Sequence, residues 1–358
     1  MQVALLYNLK KENSELNGAN SETSSQKTFQ SLETPQETLT RIDTYAEWDT
    51  IETINALRDA LAIRHDVTLI EADEFAFEKL RLLKPEIVFN VTEGKYGASR
   101  EAQIPAMLEM LEIPYTGSDP VTLGICLDKS RAKEILSYYN IANPKFKVIK
   151  DLEEEIPNDF SFPLIVKPLF EGSSKGIFNK SVVENMNELT EIVKEIISEY
   201  KEPALIEEFL PGREFTVAIL GNKDRARILP IVEIKFDALP KDVKPIYSYE
   251  AKWIWDQSEF PHDIYECPAQ VSNELNQKIK NICLSTYHTL GCRDWARVDV
   301  RLDASGEPQI IEINPLPGIL PKAEDNSCYP RAARIAGYTY NEMINAVLDE
   351  ACLRNGLL

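Results

Sequence analysis

The segment Gln309-Ile310-Ile311-Glu312-Ile313-Asn314-Pro315-Leu316-Pro317-Gly318 narrows what this chain can fold into more than any other. Its apolar run predicts a buried strand, and a strand sends alternate side chains to opposite faces. Glu312 and Asn314 therefore share one face at the strand's end, beside a stiff Pro-Leu-Pro-Gly turn. Upstream, Arg297-Val298-Asp299 brings another carboxylate to a comparable strand position. Hard oxygen donors grouped in this way suit Mg²⁺ held against nucleotide phosphates.

The charge balance restricts the partners. Lys and Arg total 39 and Asp and Glu total 58, a net charge of −19, which argues against general nucleic-acid binding. A few lysines concentrated in one cleft still permit a nucleotide ligand. No apolar run reaches membrane-spanning length, and Val3-Ala4-Leu5-Leu6-Tyr7 reads as a strand with no charged leader before it. The six cysteines are scattered without a Cys-x-x-Cys pair, as expected of reduced thiols in a cytoplasmic protein. With three histidines, neither zinc chemistry nor a histidine-based nucleophile relay is expected.

At 358 residues the chain is long enough for two or three linked domains. Strands at 2–7, 67–70 and 87–89 alternate with helices around 49–61 and 100–111, the pattern of an open parallel sheet with helical cover. Residues 9–44 are polar and read as a long loop or insertion. The turn-rich stretch 113–120 closes this region, and Asp128 reads as the N-cap of the next helix. Further strands are predicted at 146–149, 163–167, 204–207, 214–220, 231–234, 295–302 and 308–314, with helices at 188–197, 271–290 and 340–353. Residues 237–268 read as a long functional loop.

Two more stretches carry chemistry. Lys167 ends the strand Pro163-Leu164-Ile165-Val166, and Glu171-Gly172-Ser173-Ser174-Lys175-Gly176 follows. Such a loop offers N–H and hydroxyl donors to phosphate oxygens, although an ordinary hairpin turn has the same composition. A lysine preceding the glycines is the wrong order for a P-loop. In Ile206-Glu207-Glu208-Phe209-Leu210-Pro211-Gly212-Arg213-Glu214, Glu207 suits an adenine amino group. Phe209 and Leu210 suit its ring and Glu214 a ribose, whereas isolated carboxylates here would be an ordinary solvated strand end.

In this order the motifs resemble the ATP-grasp carboxylate–amine ligases, most closely the D-alanine–D-alanine ligase family. The matching stretches are Leu127-Asp128-Lys129, Val166-Lys167-Pro168, Glu171-Gly172-Ser173-Ser174, Ile206-Glu207-Glu208, Gly212-Arg213-Glu214-Phe215-Thr216-Val217, Glu250-Ala251-Lys252, Ala296-Arg297-Val298-Asp299 and Glu312-Ile313-Asn314. The resemblance implies a three-domain α/β ATP-grasp fold. Residues 1–122 would form the N-terminal open parallel α/β domain, 123–212 the central α+β subdomain and 213–358 the C-terminal α+β catalytic domain. It further implies that Lys129, Lys167 and Lys252 hold the phosphates of ATP, with Ser173 and Ser174 in the loop above. Glu207, Phe209, Leu210 and Glu214 would line the adenosine site. Asp299, Glu312 and Asn314 would bind two Mg²⁺ ions, for which Mn²⁺ can substitute. Arg297 and the N–H of Gly318 would face the oxyanion of a tetrahedral intermediate, with Ser173 closing over the site.

The substrate positions depart from that family. Glu93 stands in place of its histidine, Ala98 and Ser99 in place of an acidic pair, and Pro321 to Asn326 in place of a Ser-rich segment. Asn90, Glu93, Arg100, Trp253 and Lys322 are the candidate substrate contacts. The expectation is a cytoplasmic ligase joining an amino-acid or small-peptide carboxylate to an amine through an acyl phosphate. Its substrates would be small molecules other than two D-alanines, with no nucleic-acid or membrane partner and with a homodimer allowed. The alternatives are a genuine D-alanine–D-alanine ligase of cell-wall synthesis and, outside enzymes, a non-catalytic nucleotide-binding scaffold. A carboxy-phosphate-forming carboxylase would need a carrier or transferase domain for which there is no room.

Overall fold

A computed structural model of the protein describes residues 1–10, 47–156, 160–236, 243–248 and 264–358. Lys252, Trp253 and most of the 9–44 insertion lie outside the described residues. The chain begins with β1 (Gln2–Tyr7), α1 (Ile51–Ala62), β2 (Asp66–Glu71), α2 (Ala76–Leu83) and β3 (Ile87–Asn90). The strands form a parallel sheet in the order β2-β1-β3. Alternation along β1 divides its apolar side chains. Val3 and Leu5 pack with Ile54 and Leu57 of α1, while Ala4 and Leu6 join Leu80 of α2. The second face is completed by Leu108 of α3 (Gln103–Met110), which follows a 3₁₀ turn at Arg100–Ala102.

Helix α4 (Pro120–Leu127) was not anticipated. Its start is nevertheless written locally, since the Asp119 side chain accepts from Thr122 N at 2.9 Å and Pro120 occupies the first turn. The boundary expected at 122/123 falls inside this helix. Asp128 then caps α5 (Lys129–Tyr138), accepting from Ser130 N at 3.0 Å and Arg131 N at 3.2 Å.

The next sheet is antiparallel, in the order β4-β7-β5-β6, from β4 (Phe146–Ile149), β5 (Leu164–Pro168), β6 (Val182–Val183) and β7 (Ala204–Glu208). Helix α6 (Met186–Glu195) covers it through Leu189 and Val193. The last sheet contains β8 (Glu214–Leu220), β9 (Arg227–Ile228), β10 (Val232–Ile234), β11 (Tyr265–Glu266), β12 (Trp295–Leu302) and β13 (Pro308–Asn314). Its order is β11-β10-β8-β12-β13, with β9 on β8. Helix α7 (Asn273–Thr289) packs Ile279, Cys283 and Tyr287 with Val298 and Val300 of β12.

Helices α8 (Cys328–Ile335) and α9 (Tyr340–Arg354) join the core shared with the first sheet, where the Trp295 ring meets Phe89 and Tyr329 edge-on. Helix α8 escaped sequence reading because Pro330 punctuates it, but a proline in a first helical turn removes no intrahelical hydrogen bond. No described helix is long and apolar enough to cross a membrane.

Candidate functional site

Between the second and third sheets lies a cavity of about 240 Å³. Strand register explains the polar wall that the third sheet gives it. Strand β12 pairs antiparallel with β8 and β13, setting Arg297 opposite Asn314, Asp299 opposite Glu312 and Thr216, and Arg301 opposite Glu214. The two-residue period then puts Arg297, Asp299 and Arg301 on one face. A bulge follows Asp299, with Ile311 as the extra residue on β13. Asn314 Nδ2 donates to Asp299 Oδ2 at 3.3 Å and to Glu312 Oε1 at 3.4 Å. Arg297 forks onto Asp299, with Nε to Oδ1 at 3.0 Å and Nη2 to Oδ2 at 2.8 Å.

Burial alone would push the Glu312 carboxyl up, but Lys129, Lys167 and Arg297 bring it below its ordinary value. Two carboxylates and a carboxamide share one face, and with the Asn314 amide turned to present its oxygen they form an all-oxygen donor set that fits Mg²⁺. Among the described residues, no three His, Cys, Asp or Glu side chains group as a metal site on their own. The set therefore needs the carboxamide and further oxygens, such as those of a phosphate.

The second sheet supplies the cations. Ile165 pairs with Glu207, so Lys167, two residues on, lies on the same face as that carboxylate. Lys167 Nζ is 2.6 Å from Glu207 Oε2, and Lys133 Nζ is 2.6 Å from Oε1. Burial opposes ionisation of Glu207, but the two ammonium groups outweigh it and pull its pKa down to about 2. Lys133 lies one helical turn after Lys129, whose ammonium donates to the backbone carbonyls of Leu169 and Glu171. Lys133→Met would leave Glu207 with one partner in a buried site. We expect a loss of about 3–5 kcal/mol of stability at neutral pH, read by urea unfolding. A depressed carboxylate pKa stabilises above the unfolded-state value, and that contribution disappears as pH falls through the folded-state value. The variant should therefore lose part of its neutral-pH stability and approach wild type near pH 2.

The loop Glu171-Gly172-Ser173-Ser174 is drawn toward the first sheet. Arg100 Nη2 reaches Glu47 at 2.9 Å and Glu171 at 3.3 Å, while Lys175 Nζ contacts Glu171 at 2.6 Å. Gly172 N donates to Glu47 Oε1 at 2.8 Å, and a Cβ on Gly172 would come within 2.5 Å of that oxygen. Ser173 and Ser174 both have positive φ, and Ser174 Oγ donates to the Tyr247 carbonyl at 2.8 Å. A second cavity, of about 90 Å³, lies beneath this loop and is bordered by Lys129, Ser173, Arg297, Glu312, Asn314 and Gly318.

Of the sequence-predicted residues, Lys167, Ser173, Ser174, Glu207, Phe209, Leu210, Glu214, Arg297, Asp299, Glu312 and Gly318 border the larger cavity. Lys129, Asn314 and Glu93 border the smaller. Three proposed substrate contacts are not brought to either cavity. Asn90 is buried, its side-chain oxygen taking the Thr92 hydroxyl and its N–H donating to Thr116. Lys322 pairs with Glu52 on the surface. Arg100 is engaged by Glu47 and Glu171.

Sequence reasoning missed Lys133, Glu47, Lys175, Glu101 and Arg301. Lys133 was findable from its four-residue spacing to Lys129. Arg301 was findable from strand alternation with Asp299; it pairs with Glu214 at 2.9 Å and lies over the Phe209 ring. Glu47 follows the polar insertion and carried no local signal.

A family model for the D-alanine–D-alanine ligase C-terminus matches residues 133–349. An uncharacterised protein of Sinorhizobium fredii is 36% identical over 82% of this chain and 86% of its own length. The D-alanine–D-alanine ligase of Bordetella petrii is 31% identical over 81% of this chain and 83% of its own. The solved D-alanine–D-alanine ligase of Bacillus anthracis complexed with ATP superimposes with a TM-score of 0.69 at 21% identity, covering 100% of this chain and 99% of that one. The three sheets and the cleft between the last two thus form an ATP-grasp fold. Within that class, the chain belongs to the D-alanine–D-alanine ligase family.

Proposed function

We propose that the protein is an ATP-dependent, ADP-forming ligase that joins an amino-acid or small-peptide carboxylate to an amine in the cytoplasm. The observation that carries this reading is the shared strand face of Arg297, Asp299, Glu312 and Asn314. It borders the larger cavity and also the smaller one, where an acceptor can wait. ATP would pass its γ-phosphoryl group to the carboxylate and leave as ADP; the amine would then attack the acyl carbon of the acyl phosphate, forming the amide and expelling inorganic phosphate. No protein nucleophile is required.

In this reading ATP lies between the central and C-terminal units, 123–212 and 213–358. Lys129 and Lys167 face its phosphates, Glu207 the adenine amino group, Phe209 and Leu210 the ring, and Glu214 the ribose. Lys252 is assigned to the phosphates by family resemblance alone. Asp299, Glu312 and Asn314 would hold Mg²⁺, which when bound neutralises phosphate charge and orients the transferring group. Arg297 and the N–H of Gly318 would stabilise the oxyanion that forms as the amine attacks. The Ser173 loop, drawn down by Arg100 and Glu47, would keep water from the acyl phosphate.

A genuine D-alanine–D-alanine ligase is the second reading, favoured by the Bordetella relative. Against it stand Glu93, Ala98 and Ser99 at the family's substrate positions. Phosphate release with ATP, Mg²⁺ and D-alanine alone, set beside a panel of other amino acids and their pairs, decides between them. Release requiring another amino acid supports our reading, and strong release with D-alanine alone supports the second.

A further inference from the structure

The smaller cavity is lined by more carboxyl groups than its own cations engage. Glu47 is engaged by Arg100, by Lys175 at 3.5 Å and by Gly172 N. Arg297 is committed to Asp299, and the Lys129 ammonium to two backbone carbonyls. Glu93 and Glu101 line the same cavity. Glu101 is only 8% exposed, and neither carboxylate has a hydrogen bond or ion pair among the described residues. A buried carboxylate without a partner is costly, and two facing one cavity repel each other.

Resting on the ligase reading, we propose that Glu93 and Glu101 form a receptor for a cationic side chain on one substrate. The enzyme would thus select a basic amino acid, or a peptide ending in one, with a primary ammonium or guanidinium group. A bound cation would replace the missing partners and relieve the repulsion. The electrostatics agree with this geometry. Burial, then the field of Glu101 and Glu47, hold Glu93 well above its ordinary value, with Asp49 adding to the rise and Arg100 opposing it. Burial lifts Glu101 to about 7, assisted by Glu47 and opposed by Arg100 and Lys129. Arg100 alone therefore does not neutralise the pair, and it is already shared between Glu47 and Glu171.

The test is calorimetric binding of both enantiomers of lysine, ornithine and arginine to the full-length protein. Norleucine, norvaline and citrulline serve as neutral counterparts, and Glu93→Gln and Glu101→Gln as variants. Charged ligands should bind about tenfold or more tightly than their counterparts in wild type, and either variant should shrink the preference to below about threefold. Equal binding of charged and neutral ligands, no binding by any, or a preference retained in both variants overturns the proposal. Phosphate release with the same panel separates the two readings. Turnover indifferent to side-chain charge sinks the receptor alone, while charge-selective binding without turnover sinks the ligase reading.

Discussion

Glu312→Gln should lower ATP-dependent phosphate release by about a thousandfold, because metal-borne charge neutralisation contributes several kcal/mol in phosphoryl transfer. Glutamine keeps the shape of the side chain and removes its charge. Glu312 is ionised throughout the neutral range, since Lys129, Lys167 and Arg297 overcome the effect of burial. The substitution therefore removes a real anion from the donor face it shares with Asp299 and Asn314. Metal-free ADP binding should change little, while the Mg²⁺ concentration needed for half-maximal release should rise steeply. Phosphate release within about threefold of wild type would show that Glu312 is not a metal ligand.

Arg297→Met should lower kcat by about a hundredfold to a thousandfold, the usual loss when an oxyanion donor is removed. Binding of a non-hydrolysable ATP analogue should stay within about tenfold. Burial acts against the Arg297 charge, but Asp299 outweighs it and holds the guanidinium's pKa above its ordinary value. Arg297 therefore stays charged at any working pH. Its fork is occupied by Asp299 in this state, with Glu312 3.8 Å away. Arg297→Lys keeps the charge without the fork and should recover only part of the loss. A variant with lost nucleotide affinity and unchanged kcat would place Arg297 with the phosphates, away from the acyl centre.

The parts of this site that could be read in advance are those written as local periodicity. Strand alternation put Glu312 and Asn314 on one face, and the bounds read for β8, β12 and β13 agree with the structure residue for residue. The cap at Asp128 was equally local. What escaped depends on chain segments meeting. Lys133 acquires a role only when β7 carries Glu207 up to α5. The Glu47, Arg100, Glu171 and Lys175 cluster joins residues far apart in sequence. Asn90, expected among the substrate contacts, borders neither cavity, and its side-chain oxygen takes the Thr92 hydroxyl within the first sheet. The residues proposed to choose the substrate are legible least of all, because the unpartnered carboxyls of Glu93 and Glu101 emerge only once every neighbouring cation has been matched.

The central claim is that a substrate carboxylate is activated by direct phosphoryl transfer. Its most direct test is turnover of amino acids and short peptides labelled with ¹⁸O in the carboxyl group, with mass spectrometry of the released phosphate. The account predicts ADP, a new amide, and one ¹⁸O carried into phosphate for each bond formed. Amide formation with AMP release, or with phosphate free of the label, would contradict it.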